Sequence, residues 1–503
     1  MVRFEFENIS DAVFHHAARQ PDAPALIAGH ETISYRTLAT LVGQATVYLR
    51  AQGLKAGDRI AIAMTNSIAR AVFTLGCMRM GLVDIGLPSE TTAPILASVV
   101  SRFAATATAV ETGGPEAPAR VRVVIGLDWR AQLANFAGDV RFAGSPEALR
   151  TIVLSSGSTG VPKGHVATQQ QRIIRAANYV NFSGYYRVEN PAVLLLAAPP
   201  NTSFLLQFMI SQFLLGGACV LLPDYKYLID LVRQVQAYDD CIFPVPPGMV
   251  RLMLKYAPAT GVLFPTMRAL VVSGQPMLPQ DKLSFLQHLS PNLYDSYGCT
   301  GFGLVACCDP AIIRQQTNTV GRPVAGPGAV VEIVDDHGAV LAPGKTGQLR
   351  LRGPAVGVGF FHPEDNARGT ERFVDGAYYP GDVGFISPDG YLVLEGRLAD
   401  AIQIGNAVIY PSEIEEVIIK HSHVADVAVV GRPGADGVEE IVAFVVGKPG
   451  FKHKDIDTYC KGALAFAKRP KYIFYLDQMP KTPNGKVDKQ ALRAAPLNPI
   501  GPA

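Results

Sequence analysis

Residues 155–164 read Ser-Ser-Gly-Ser-Thr-Gly-Val-Pro-Lys-Gly. The run before them, Thr151–Leu154, predicts a buried strand. Three glycines leave backbone N–H groups free to turn toward a ligand, and successive turned N–H groups form a concavity that binds anions. Ser155, Ser158, Thr159 and Lys163 add hydroxyl and ammonium donors for phosphate oxygens. The stretch therefore predicts a polyphosphate cradle. It is not the P-loop pattern, which ends in Gly-Lys-Ser/Thr. A Gly/Ser surface turn has a similar composition, but a Lys held between Pro and Gly behind a strand favours phosphate.

The chain around this loop has 503 residues, which predicts two or three domains. Hydrophobic residues make up 48% and charged residues 17%, the composition of a packed globular protein. A net charge of +2 with no basic stripe argues against a nucleic-acid partner. The seven cysteines are odd in number and form no C-x-x-C pair, which argues against a disulfide framework or zinc site and for the cytoplasm. The opening Met-Val-Arg-Phe-Glu-Phe-Glu is not a signal peptide. Phe204–Leu222 is nearly long enough to span a bilayer, but Gln207, Ser211, Gln212 and Gly216-Gly217 interrupt it. It reads as a buried helix, a turn and a short strand, so no transmembrane segment is expected.

Strand and helix patterns alternate along the first part. Helices are predicted at Ile9–Gln20, capped by Ser10, at Tyr35–Gln52, capped by Ser34, and at Ile68–Met80. Strands are predicted at Asp58–Met64, Leu82–Gly86, Val193–Ala197, Ala218–Leu222, Asp240–Val245 and Ala269–Val272. Such alternation predicts an α/β fold of parallel-rich sheets covered by helices. Thr112–Glu147 reads as an irregular link, and Gly328–Leu351 as a small β-subdomain. After Gly396, a helix capped by Ser412, strands at Val424–Val430, Glu440–Val446 and Ile473–Leu476, and a helix at Lys454–Ala467 make a compact α+β unit. The division expected is 1–398 as a large domain and 399–503 as a small mobile one.

The loop at 155–164 resembles the signature of the acyl-adenylate-forming enzymes, which include acyl- and aryl-CoA ligases, nonribosomal adenylation domains and luciferases. Further motifs extend the resemblance over nearly the whole chain. Asp295-Ser296-Tyr297-Gly298-Cys299-Thr300-Gly301 resembles the family's adenine motif. The resemblance implies that Tyr297 stacks on adenine, that Asp295 accepts from the purine amino group and that Thr300 donates to the α-phosphate. Gly274-Gln275-Pro276 matches the segment on the other adenine face. Gly301 stands where the family usually has a Glu that helps hold Mg²⁺, which leaves Thr159, the phosphates and water as the expected metal partners.

Tyr379-Pro380-Gly381-Asp382-Val383-Gly384 is similar to the family's Thr-Gly-Asp-x-Gly, so Asp382 is expected to accept from both ribose hydroxyls. Arg397 can bridge ribose and phosphate. Asp400 matches the hinge about which the small domain swings. Gly405 stands near the expected thiol tunnel, in a looser match that has Asn406 beside it. Pro480-Lys481-Thr482-Pro483-Asn484-Gly485-Lys486 is similar to the terminal Lys motif, and Lys486 would stabilise the reacting phosphorus and its leaving group. Lys468, Arg469 and Lys471 are similar to cations that meet the nucleotide phosphates of coenzyme A in halobenzoate-type ligases.

The window Pro199–Leu206 holds no Asp or Glu to receive a substrate amine, which argues against an amino acid. Asn201, Ser203, Phe204, Cys299 and Phe302 are the expected pocket residues for an acid with an apolar body. The resemblance implies an ATP-dependent, AMP-forming carboxylic acid–CoA ligase that uses ATP, Mg²⁺ and coenzyme A. Two alternatives stay open: loading of a carrier protein, and a non-catalytic nucleotide or acid binder. A homodimer is likewise left open.

Overall fold

The computed structural model describes the chain except residues 139–141, 143, 156–162, 223–224, 327, 405–406, 435–438, 451, 483–486 and 496–503. Two large sheets carry the N-terminal part. In the first, Leu293–Cys299, Ala269–Ser273, Cys241–Val245, Val193–Leu196, Cys219–Leu221 and Pro24–Ala28 run parallel in that order. Antiparallel strands flank them: Gly303–Cys308 then Arg322–Pro323 at one edge, Glu31–Ser34 at the other. In the second, Leu149–Ser155, Val83–Leu87, Arg59–Ala63, Ala107–Glu111 and Val121–Ile125 are parallel neighbours. The fold is thus mixed α/β with parallel-rich sheets, as the alternating pattern predicted.

One core cluster joins both sheets through the helices Ile9–Arg19, Tyr35–Ala51, Ile68–Met80, Gln169–Phe182 and Ser203–Leu215. Every residue of Ile68–Met80 is buried, Arg70 and Arg79 included, which fits a helix enclosed by its neighbours. Ser203–Leu215 is similarly enclosed, and each of its buried Leu or Phe side chains contributes roughly 1.5–3 kcal/mol. It ends where Gly216 takes φ +77°, a left-handed conformation that lets its own N–H and that of Gly217 close the last turn. Among the described residues no helix is long and apolar enough to cross a membrane.

Four local expectations change. The first helix starts at Ile9 as expected, but its cap is Asn8, whose side chain accepts from Ser10 N–H, and Ser10 itself lies inside the first turn. Tyr410, not Ser412, precedes the helix Pro411–Ile418, and the Ser412 hydroxyl instead donates to the Glu395 carbonyl. The supposed link Thr112–Glu147 contains the edge strand Val121–Ile125 and a short helix, Trp129–Ala134. The β-subdomain runs past Leu351: Val330–Val334 and Gly347–Arg352 pair with strands as far as Leu392–Arg397. Its later strands are short and turn-rich, so their alternation is too brief to read.

The C-terminal unit has cores of its own, built from residues between Ile402 and Leu492. Its three-stranded sheet comprises Val424–Pro433, Glu439–Gly447 and Tyr472–Tyr475. The helices Pro411–Ile418, His453–Ala463 and Lys489–Ala494 accompany it.

Candidate active site

The strands on either side of the signature loop pair with each other. Leu149–Ser155 pairs antiparallel with Lys163–Thr168, and the register sets Ser155 opposite Lys163. Residues 156–162, including Ser158 and Thr159, lie outside the described residues, as do Gly405 and Lys486. At the loop's near end the Ser155 hydroxyl is buried without a hydrogen-bond partner, an acceptor and donor left for something the loop would hold. At the far end the Lys163 ammonium is buried over the Phe360 ring, 4.6 Å from its centroid. It donates to the Arg368 carbonyl and, at 3.5 Å, to that of Glu371. Burial lowers its pKa, opposed by the charges of Glu371 and Asp365.

Three of the expected nucleotide residues meet in space. Tyr297 lies on Leu293–Cys299, whereas Asp382 and Arg397 are paired across the hairpin of Asp382–Ile386 and Leu392–Arg397. The Tyr297 hydroxyl donates to one Asp382 oxygen, and Arg397 Nε donates to the other at 2.8 Å. Asp382 is buried and Arg397 covers it. The carboxylate raises the Arg397 pKa, and burial followed by Asp382 pushes the Tyr297 phenol well up. Gly274–Pro276 turns off the end of the adjacent strand Ala269–Ser273, with Gly274 at φ +92° and open space where a side chain would be. The exposed turn thus follows the strand next to a half-buried Tyr297 whose hydroxyl is held by Asp382, itself paired with Arg397.

Asp295 sits deeper. It is buried and paired at 2.7 Å with Lys282, from the helix Pro279–His288. Burial raises its pKa, with Lys282 opposing. The Thr300 and Gly301 carbonyls are fixed by Arg175, at 3.1 and 2.8 Å, and Arg175 also donates to Ala355 at 2.8 Å. Sequence reading passed over Arg175 and Lys282. The signal for Arg175 was available: with Arg172 and Tyr179 it lies on one face of a helix whose neighbours are apolar.

Gly301 is glycine for a steric reason. A β-carbon there would sit 2.6 Å from Cζ of Tyr378, which is buried. The Tyr378 hydroxyl in turn donates to Glu371, whose carboxylate lies 3.2 Å from His165 Nε2. Burial works against the ionised Glu371, but the charge and hydrogen bond of His165, then Tyr378 and Arg397, hold its pKa down at about 2. Among the described residues no cluster of three acids, histidines or cysteines could hold a metal ion by itself.

Of the expected acid-pocket residues, Ser203 and Phe204 open the helix Ser203–Leu215, and Phe204 packs edge-on to Phe208 at 4.9 Å. The backbone of Asn201 lies against Gly86 of the second sheet. Cys299 is half-buried, and Phe302 is wholly buried in the main core. The expected coenzyme cations have partners within the small unit: Lys468 with Glu413, Lys471 with Glu440, and Arg469 with the Leu464 and Lys461 carbonyls. Beside them Phe466 is 86% exposed, an aromatic face that sequence reading did not single out. The Asp400 carboxylate accepts from Arg493 at 2.8 Å.

The chain is 27% identical to a fatty acid–[acyl-carrier-protein] ligase of Streptomyces coeruleorubidus, covering 97% of this chain and 96% of the relative. It is 25% identical to a long-chain-fatty-acid–CoA ligase of Escherichia coli and 27% identical to 4-coumarate–CoA ligase 5 of Oryza sativa, each over 97% of this chain and 94% of the relative. The fold superposes on ATP-bound MatB from Rhodopseudomonas palustris with a TM-score of 0.84 at 22% identity, over 97% of this chain and 98% of that one. The o-succinylbenzoate CoA synthetase of Bacillus subtilis gives a TM-score of 0.83 at 20% identity, over 98% and 99%. Residues 13–361 match the AMP-binding enzyme family and 413–486 match the AMP-binding enzyme C-terminal domain; the chain belongs to that family.

Proposed function

We propose that the protein is an ATP-dependent carboxylic acid–CoA ligase that works through an acyl-adenylate. The observation that carries this is the meeting of Tyr297, Asp382 and Arg397 beside the open Gly274–Pro276 turn. In this reading adenine lies between Tyr297 and Gly274-Gln275-Pro276, and Asp382 turns from Tyr297 and Arg397 toward the ribose hydroxyls. A carboxylate oxygen of the acid attacks the α-phosphorus, and pyrophosphate leaves. The coenzyme thiol, after losing its proton, attacks the acyl carbon, and AMP leaves. Thr300 and Lys486 supply donors to the charge that develops on phosphorus, the kind of contact worth about 3–4 kcal/mol in a transition state. Mg²⁺ arrives on the triphosphate, since it keeps waters and phosphate oxygens and needs few protein ligands; Thr159 is its proposed protein partner.

The acid has a largely apolar body, set against Phe204 and Cys299 with Asn201 and Ser203 at the wall. Phe466 beside Arg469, Lys468 and Lys471 supports coenzyme A as acceptor, with the ring under its base and the cations near its phosphates. Loading of a carrier protein is the second reading, favoured by the relative from Streptomyces coeruleorubidus. Asp400 is the proposed hinge between residues 1–398 and 399–503, and Gly405 the proposed lining of the thiol path.

Pyrophosphate release over a panel of alkanoic, benzoic and dicarboxylic acids tests the reading, with Asp382→Asn as the control. The wild type should respond to a subset of acids. Asp382→Asn should raise the KM for ATP at least about tenfold, since charged hydrogen bonds are worth roughly 1.5–3 kcal/mol. Release by neither protein with any acid overturns the ligase reading. Arg469→Glu should raise the KM for coenzyme A and spare that for ATP; an unchanged coenzyme KM favours the carrier protein.

A further inference from the structure

Among the described residues, each buried arginine of the large domain has a carboxylate or backbone carbonyl as a partner except Arg172, although Arg150, held by Asp84 through Nη1, likewise leaves its Nε and Nη2 without a hydrogen-bond partner. Arg150 pairs with Asp84, Arg79 with Asp11 and Arg268 with Asp240. Arg70 donates to the Met64 and Leu87 carbonyls, and Arg175 to three carbonyls. Arg172 is 1% exposed, and its Nη1 donates to the Ser203 hydroxyl at 3.2 Å. Its Nε and Nη2 are buried with no partner. These two donors lie along one edge of the planar guanidinium, the edge whose parallel N–H bonds match the two oxygens of a carboxylate.

The surroundings sharpen the point. Arg172 lies close enough to Arg150 and Arg175 to lower the pKa of each by its charge, after burial. Asp84 is the carboxylate paired with this trio among the described residues, so the interior holds an excess of positive charge there. Burial lowers the Arg172 pKa only to about 10, so it stays charged at neutral pH. Leaving a buried charge without its counter-ion is costly, and an apolar residue would fill the place without that cost. One turn along from Ser203, the Gln207 side-chain oxygen is also unpartnered, while its Nε2 donates to the Arg172 carbonyl at 3.0 Å.

The location is the wall assigned above to the acid. Arg172 and Tyr179 share a helix face; Tyr179 packs against Phe208 at 5.3 Å, and Phe208 against Phe204. We propose that the substrate is a dicarboxylic acid. One carboxylate is activated on phosphorus. The second, at the far end of an apolar body, is received by the Nε–Nη2 edge of Arg172, with the Ser203 hydroxyl beside it. The proposal rests on the ligase reading for the first carboxylate and on Arg172 alone for the second.

The test pairs α,ω-dicarboxylic acids of graded length with the monocarboxylic acids of the same length. Wild-type kcat/KM for pyrophosphate release should favour the best dicarboxylate at least about 100-fold, since a site built to bond a polar group strongly rejects the analogue that lacks it. Arg172→Leu should lose this preference and gain the monocarboxylic acid; Arg172→Lys, which keeps the charge but not the fork, should fall between. Melting temperature with dicarboxylate alone provides a second readout. It should rise for the wild type and not for Arg172→Leu. Pyrophosphate release with monocarboxylic acids as good as dicarboxylic ones overturns the inference and leaves the ligase reading standing. A dicarboxylate-dependent rise in melting temperature that needs Arg172, with no pyrophosphate from any acid, overturns the ligase reading and leaves the site standing. No rise with any dicarboxylate, together with no preference in turnover, removes the site.

Discussion

At Gly301 a β-carbon would meet the Tyr378 ring, and a glutamate there would have to push that buried ring aside. Gly301→Glu should therefore destabilise the fold by about 1–3 kcal/mol, the usual cost of overpacking. A lower melting temperature that is partly restored by Tyr378→Leu checks this; an unchanged melting temperature would show that the ring moves freely. Behind the ring, Glu371 supplies an acid-range signature. Its folded pKa, about 2, lies below the ordinary glutamate value of about 4.3, so its stabilisation is complete above that value and is lost as pH falls toward 2. Glu371→Gln should flatten the decline of melting temperature between about pH 4.5 and 2. An acid limb as steep as the wild type's would contradict the assignment.

The elements around the site are braced by charges that only the packed structure pairs. Lys282, on the helix Pro279–His288, meets Asp295 on the strand Leu293–Cys299 with both groups buried, and its ammonium also donates to the Thr319 carbonyl at 2.6 Å. Lys282→Met leaves a buried carboxylate unpaired and should cost about 3–5 kcal/mol. Adding Asp295→Asn should recover part of this, read as melting temperature; a cost that the second change does not relieve would show that Lys282 acts by packing alone. In the sequence Lys282 is an ordinary lysine in a polar helix, and nothing in its neighbours announces Asp295. By contrast the cap at Ser34, the break at Gly216 and the helix Ile68–Met80 were legible, because each rests on residues within a few positions of one another.

At the scale of the molecule, among the described residues the buried cores of the small unit begin at Ile402 and those of the large part end at Leu392. A chain ending at Leu398 should thus fold and melt cooperatively but make no thioester, since the proposed coenzyme cations Lys468, Arg469 and Lys471 are gone. Circular dichroism and a thioester assay with pre-made acyl-adenylate check this. An insoluble fragment, with one transition for the intact chain, would contradict separate cores.

The sequence by itself determined the parallel-rich architecture, since strand and helix periods alternate locally, and the loop and Asp-x-Gly motifs, since their chemistry is contiguous. Tertiary structure decided what distant residues do to one another. It joined Asp382 to Tyr297 across 85 positions, gave Asp295 to Lys282, put Tyr378 in the space above Gly301 and left the Arg172 fork without a counter-ion. The physical reason is one of range. Backbone conformation follows from neighbouring residues, whereas desolvation, charge pairing and steric exclusion depend on which side chains the fold brings within a few ångströms.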